Sequence, residues 1–289
     1  MPLYELLDEP DLESPAAVLA LDGWIDAGLG AQSARQALLD SLETTTVATF
    51  DADSLLDFRS RRPTMHLVEG VLDGLTWPSI ELHAATDFDG NDLLLLVGAE
   101  PDHQWNAFVG DVADLFVRFD VRLVVGLGAY PAAVPHTRPT RLASAASDEA
   151  LARFCAVRTT VDVPTGVQGA IERRVAEVGI RSIGLWAQVP HYVSAMPSPA
   201  ASAALVDGLA AVADLSLPSD ELHRQAQALR GRLDELVAAN PEHSQMVEQL
   251  ESQWDGEEAA ADDGFGTQPL PSGDELAAEL ERFLRDQGT

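Results

Sequence analysis

The sequence predicts an α/β protein: a three-layer α/β/α sandwich on a mixed, mainly parallel sheet, followed by a C-terminal helical appendage. Three observations carry this. A buried apolar run is followed by a helix-length amphipathic segment and then by a β-branched run near the amino terminus. Strand-like and helix-like segments alternate again from about residue 104 to residue 213. Beyond Pro218 the pattern turns purely helical.

The first strand is expected at residues 16–21 (AAVLAL), closed by Asp22-Gly23. Leu29, Ala34, Leu38, Leu39 and Leu42 then fall on helical spacing, and Thr45–Phe50 returns to strand. Such a strand–helix–strand unit is the usual source of a right-handed parallel crossover. Met65–Val71, Ile80–Ala85 and Leu93–Val97 are separated by Asp73-Gly74 and Asp89-Gly90, too closely for helices, and are expected to add antiparallel hairpins to the sheet. A helix over Gln104–Phe119 and a buried strand at Leu123–Gly128 resume the alternation. Then follow a strand near Arg141–Ala145, a helix over Glu149–Ala156, a strand at Thr159–Val163 and a helix over Val167–Val178. A strand at Ile183–Ala187 and a helix over Ala200–Ala213 complete a core domain spanning residues 1–217.

Residues 218–254 read as an αα-hairpin. Ser219 is placed to cap a helix whose Leu222, Ala226, Leu229, Leu233, Leu236 and Val237 share one face. Asn240-Pro241 ends it, and Met246, Leu250 and Trp254 mark its partner. Residues 255–271 hold acidic groups, no basic ones and little periodicity, which reads as a flexible linker. Ser272 and Glu275 form a capping box before a last amphipathic helix over residues 272–289.

Composition narrows the chemistry. All 18 basic residues are arginine, so a P-loop, a pyridoxal Schiff base and a kinase-type strand lysine are excluded. A formal net charge of −29 disfavours nucleic acid and anionic membrane surfaces. The single Cys155 forms no intrachain disulfide and reads as a small core residue. The acidic amino terminus is unlike a secretory signal, and no apolar run has bilayer-spanning length, so a cytoplasmic location is expected. Neither a cofactor nor a metal is expected.

Three loops concentrate candidate site residues. LDGWIDAG, at residues 21–28, sits between the first strand and first helix; Trp24 and Asp26 face a ligand in this reading, and Gly28 admits one to the helix N-terminus. The alternative is an N-capping loop with Trp24 as packing. The glycine spacing is not that of a dinucleotide fingerprint. Gly128 closes a buried strand, and His136, Thr137, Arg138 and Arg141 follow; two arginines in so acidic a chain either hold an anion or pair with its own carboxylates. His191 and Tyr192 follow the strand at Ile183–Ala187, with His191 an acid–base candidate or a loop-capped histidine. No set of residues amounts to a coherent catalytic constellation.

The segments LDGWIDAG, FRSRRP (Phe58–Pro63), GLGAYP (Gly126–Pro131), PHTRP (Pro135–Pro139) and HYVSAMPSP (His191–Pro199) occur in an order similar to that of bacterial members of the proteasome assembly chaperone family. The resemblance spans roughly residues 1–215. It implies a phosphorylase/hydrolase-like α/β/α fold and a homo-oligomer, with a trimer as one candidate order. Eukaryotic and archaeal relatives help assemble or bind the 20S proteasome. Members that dock there use a carboxy-terminal hydrophobic–Tyr–any-residue tail, whereas this sequence reads Arg285-Asp286-Gln287-Gly288-Thr289, so docking by that route is not expected. The favoured reading is therefore a non-catalytic oligomeric interaction protein with a possible protein partner. The alternatives are a phosphorylase/hydrolase-like enzyme or small-anion or nucleoside binder, its pocket at the strand C-termini with Arg138 on the anion, and a scaffold that docks through its acidic tail.

Overall fold

The computed structural model describes residues 2–262. In chain order it comprises β1 (Tyr4–Leu6), β2 (Ala16–Asp22), a 3-10 turn (Ala27–Leu29), α1 (Gly30–Ser41), β3 (Thr44–Phe50), α2 (Ala52–Leu55), β4 (Thr64–Val68), β5 (Val71–Thr76), β6 (Ile80–Thr86) and β7 (Asp92–Ala99). Then come α3 (Trp105–Arg118), β8 (Leu123–Ala132), β9 (Leu142–Ala146), α4 (Glu149–Ala152), α5 (Val167–Glu177), β10 (Arg181–Pro190), a 3-10 turn (His191–Val193), α6 (Pro199–Ala213), α7 (Asp220–Ala238) and α8 (Pro241–Asp262).

The strand order is β1-β3-β6-β7-β2-β8-β10-β9. The centre, β7-β2-β8-β10, is parallel, and the other pairings are antiparallel. Together with β3, five of the eight strands run one way. The apolar runs explain the placement: β2 is buried at every position from Ala16 to Leu21, so both its faces must be covered. Odd and even positions then serve different layers. Ala16, Val18 and Ala20 pack with Ala34 and Leu38 of α1 and Leu205 and Leu209 of α6. Ala17, Leu19 and Leu21 pack with Phe108 and Phe116 of α3 and Ile171 of α5. The result is the expected α/β/α sandwich.

Several expectations are corrected. The β2–α1–β3 unit does not make adjacent parallel strands; β6 and β7 lie between β2 and β3. Met65–Val71 is not one strand of the main sheet. Glu69 and Gly70 adopt φ of 49° and 83°, a two-residue turn that splits the run into β4 and β5, a separate ribbon. Asp73-Gly74 lies within β5, beside a register shift. Thr159–Val163, though β-branched, is a loop: pairing with the outer edge of β9 stops at the single Val157 bridge, and the chain leaves the sheet there. The helix expected at Glu149–Ala156 stops at Ala152, and Cys155 is buried in the α1–α6 core, where desolvation raises its thiol pKa.

The helical hairpin is present, with Asn240 Oδ1 accepting the Glu242 N–H at 3.0 Å where the second helix begins. That helix does not stop at Trp254. It continues to Asp262, through the first part of the expected 255–271 linker. The remainder of that linker, and the helix expected over 272–289, lie outside the described residues.

Candidate functional site

The loops after β2, β8 and β10 carry every residue that the sequence singled out except Gly128, which lies within β8 itself. α1 covers one face of the sheet and α3 and α5 the other, so the chain departs in opposite directions after the adjacent strands β2 and β7. A crevice opens at such a switch point. It is a small cleft open to solvent, and its lining includes Trp24, Asp26, Glu100, Gly128, Gln168 and Trp186.

Two helix N-termini reach this crevice, and each is served by a carboxylate of the chain. Asp26 Oδ1 accepts the Ala31 N–H at 2.8 Å and Oδ2 the Gln32 N–H at 2.9 Å, capping α1. Burial raises the Asp26 pKa despite these bonds. Glu100 Oε1 accepts the Val167 N–H, at the first residue of α5, at 2.7 Å. Positions that bind phosphate in many α/β proteins are here occupied from within.

Glycines make room for these side chains. Gly126 and Gly184 are paired across β8 and β10, and a Cβ on either would crowd the Glu172 carboxyl, which lies over them. A Cβ on Gly128 would strike the Trp186 ring, and one on Gly166 would stand 2.7 Å from Glu100 Oε1. Glu172 is buried, accepts a hydrogen bond from Gln168 Nε2 at 3.0 Å, and has its pKa pushed up to about 8 by desolvation. It is therefore a neutral acid at pH 7.

The other sequence candidates gather elsewhere. Gly28, at φ +61°, donates its N–H to Ser194 O at 2.7 Å and accepts the Ser198 N–H at 2.7 Å, locking the first loop onto the segment before α6. A Cβ there would overlap Ser198. The Tyr192 hydroxyl accepts the His136 N–H at 2.8 Å and lies 2.7 Å from His136 Nδ1, while Nε2 is 3.2 Å from Asp234 Oδ1 on α7. The His136 ring thus bridges the Tyr192 hydroxyl and the Asp234 carboxylate. Exposed His191 stands edge-on to Tyr192 with ring centroids 5.4 Å apart.

Arg138 is held by α8. Its Nε and Nη2 donate to the two oxygens of Asp255 at 2.8 Å each, and Nη1 donates to Glu251 Oε1 at 3.0 Å. Thr137 also donates to Glu251. Arg141 lies 3.4 Å over the Trp254 ring and pairs with Glu257 at 3.1 Å. Of the two readings of these arginines, the geometry therefore realises pairing with the chain's own acids.

The three loops are thus contiguous, but their side chains divide. Trp24, Asp26 and Gly128 face the crevice; His136, Thr137, Arg138 and Tyr192 lie under the helical hairpin; Gly28 and His191 belong to neither lining. Sequence reasoning missed Glu100, Gln168, Glu172 and Trp186. A signal was present for Glu172: glycines in the middle of two buried strands leave a hollow that another side chain must fill. Among the described residues no helix is long and apolar enough to cross a membrane, and no cluster of side chains has metal-ligand geometry.

A model of the PAC2 family matches residues 20–237. Among solved structures, a protein of unknown function from Mycobacterium tuberculosis is 36% identical, with 90% of this chain and 91% of that chain covered and a TM-score of 0.83. A proteasome-assembly chaperone homologue from the same organism is 32% identical, with coverages of 80% and 99% and a TM-score of 0.74. An archaeal proteasome activator from Pyrococcus furiosus, 16% identical over 81% of this chain and 97% of that one with a TM-score of 0.59, shares the fold. No curated protein matches the chain.

Proposed function

The chain belongs to the PAC2 family, and from that membership we propose that it is a non-catalytic interaction protein that works as a homo-oligomer. The assembly-chaperone character of the M. tuberculosis homologue's family is carried over here as the class of activity: holding a protein partner on an assembled surface. The expectation that such docking does not use a hydrophobic–Tyr tail concerns residues outside those described.

The β4–β5 ribbon carries this reading. Met65, Leu67, Val68, Val71, Leu72 and Leu75 are each 45–69% exposed, on both faces of a ribbon separate from the main sheet. Met65 pairs with Leu75, Leu67 with Leu72 and Val68 with Val71. A lone two-stranded ribbon is marginal in water, and this one places its apolar residues where water would meet them. Its cover must be present whenever the protein is, and a second copy of the chain meets that condition. Trp77 packs edge-on against Phe58 at 5.0 Å, tying the ribbon base to the body.

Light scattering coupled to size exclusion at about 50 µM is expected to give a multiple of the 30.9 kDa chain mass. Leu67→Asp with Val71→Asp is expected to yield monomer with an unchanged far-UV spectrum, because neither side chain contributes to the core. A monomeric wild type, or a double variant of unaltered mass, would refute the assignment.

A further inference from the structure

We propose that the crevice between Trp24, Glu100, Gln168 and Trp186 binds a compact organic cation, an amidinium, guanidinium or alkylammonium group. This goes beyond the oligomer reading and does not depend on it. The argument begins with what the crevice lacks. Among the described residues no arginine or histidine lines it, and the α1 and α5 N-termini are bonded to Asp26 and Glu100. An incoming phosphate or carboxylate would meet two carboxylates at these helix ends.

What the crevice offers is complementary to positive charge. Glu100 is only 8% exposed, and among the described residues its Oε2 accepts no hydrogen bond, while Oε1 is committed to Val167. A carboxylate oxygen that meets solvent at an opening can exchange water for a cationic donor. Two indoles stand in the same lining; Trp24 is 57% exposed, and Trp186 lies across the space left by Gly128. Indole faces attract cations and hold flat ones by stacking, an interaction strengthened when a carboxylate shares the site. The Gln168 amide, tied through Nε2 to Glu172, leaves its carbonyl oxygen as a further acceptor. The net charge of −29 raises the local concentration of any cation near the surface.

The glycines reinforce the assignment. Gly128 and Gly166 each leave space that a side chain would fill, one for Trp186 and one for the Glu100 carboxylate. The crevice is thereby shaped around an aromatic wall and an acidic end. Its occupant is expected to be flat or slender, with its charge inward and its apolar part against the indoles.

The same chemistry has two sources, a free amine and the arginine side chain of a protein partner. The experiment uses the full chain with benzamidine, its neutral isostere benzamide, and benzoate, read by tryptophan fluorescence and calorimetry. Benzamidinium is expected to bind in the millimolar range or tighter, benzamide about tenfold or more weakly, and benzoate not at all. Glu100→Gln keeps an acceptor for the Val167 N–H and is expected to lose about tenfold or more of the benzamidinium affinity. Trp24→Ala, at an exposed position, is expected to lose a comparable share with unchanged melting temperature. A blocked Gly-Arg-Gly peptide that outbinds agmatine assigns the site to a partner side chain, and the reverse assigns it to a free amine. Equal affinity for benzamidinium and benzamide, no binding at about 10 mM, or unaltered binding in Glu100→Gln with its fold intact would each overturn the proposal.

Discussion

Replacing Glu172 by Gln is expected to flatten the dependence of stability on pH between about 4.5 and about 8, and to raise the melting temperature above pH 8. Glu172 lies over Gly126 and Gly184, fully enclosed, with Gln168 Nε2 as its hydrogen-bond partner. Desolvation moves its pKa from 4.5 up to about 8. In that interval the folded chain retains a proton that the unfolded chain has released, so raising the pH favours unfolding. Below pH 4.5 both states carry the proton, and the stabilisation is complete. Above pH 8 neither carries it, and the stabilisation has been lost. A glutamine occupies the same volume, can accept the same hydrogen bond and never charges. The difference between variant and wild type at pH 8.5 is expected to be on the order of a few kcal/mol. Paired thermal melts from pH 5 to 9 make the comparison. Parallel curves for the two proteins would show that Glu172 is already ionised in the folded state.

Arg138→Ala is expected to release α8 from the 134–141 loop without unfolding the sandwich. Arg138 makes a two-pronged ion pair with Asp255 and a further hydrogen bond to Glu251, and Arg141 adds Trp254 and Glu257. These groups are near the surface, where water and salt weaken each pair, so the effect resides in the network. Its readout is local opening. Backbone amides over residues 248–258 are expected to exchange about tenfold or more faster in the variant, while amides of β2 and β8 keep their protection. High salt is expected to move wild-type α8 in the same direction, as screening shortens the reach of the pairs. Arg138→Glu with Asp255→Arg is expected to restore protection. Unchanged exchange in Arg138→Ala would show that the remaining contacts, Arg141 with Trp254 and Glu257 and the apolar packing of Val247, Leu250 and Trp254, anchor α8 without Arg138.

The network also favours helix at Asp255–Glu257, the start of a stretch whose composition reads as linker. Judged locally, an acidic stretch with Gly256 and little periodicity has scant reason to form a helix. The arginines that reward it lie more than a hundred positions earlier, and no local pattern reports them. Thr159–Val163 is the converse. Its β-branched residues favour a strand, but strand formation requires continued pairing, and pairing with the edge strand β9 ends at Val157.

Much of the architecture was legible because it follows from periodicity. The unbroken apolar run of β2 demanded a strand covered on both faces, and the spacing in α1 declared a helix with one buried side. The site was legible only in part. LDGWIDAG placed Trp24 and Asp26 at a strand C-terminus, where open sheets form crevices, and Gly128 joined them. Glu100, Gln168, Glu172 and Trp186 carried no comparable mark, since each looks ordinary among its sequence neighbours.

By itself the sequence determined the layers, the lysine-free chemistry and the three loops at one end of the sheet. Only the tertiary structure decided that Arg138 pairs with Asp255 and Glu251 of α8, that carboxylates meet both helix N-termini at the crevice, and that a buried acid with a raised pKa lies beneath it. The division has a physical cause. Periodicity and turn chemistry act between residues close in the chain, whereas charge pairing and desolvation depend on groups that folding brings together from far apart.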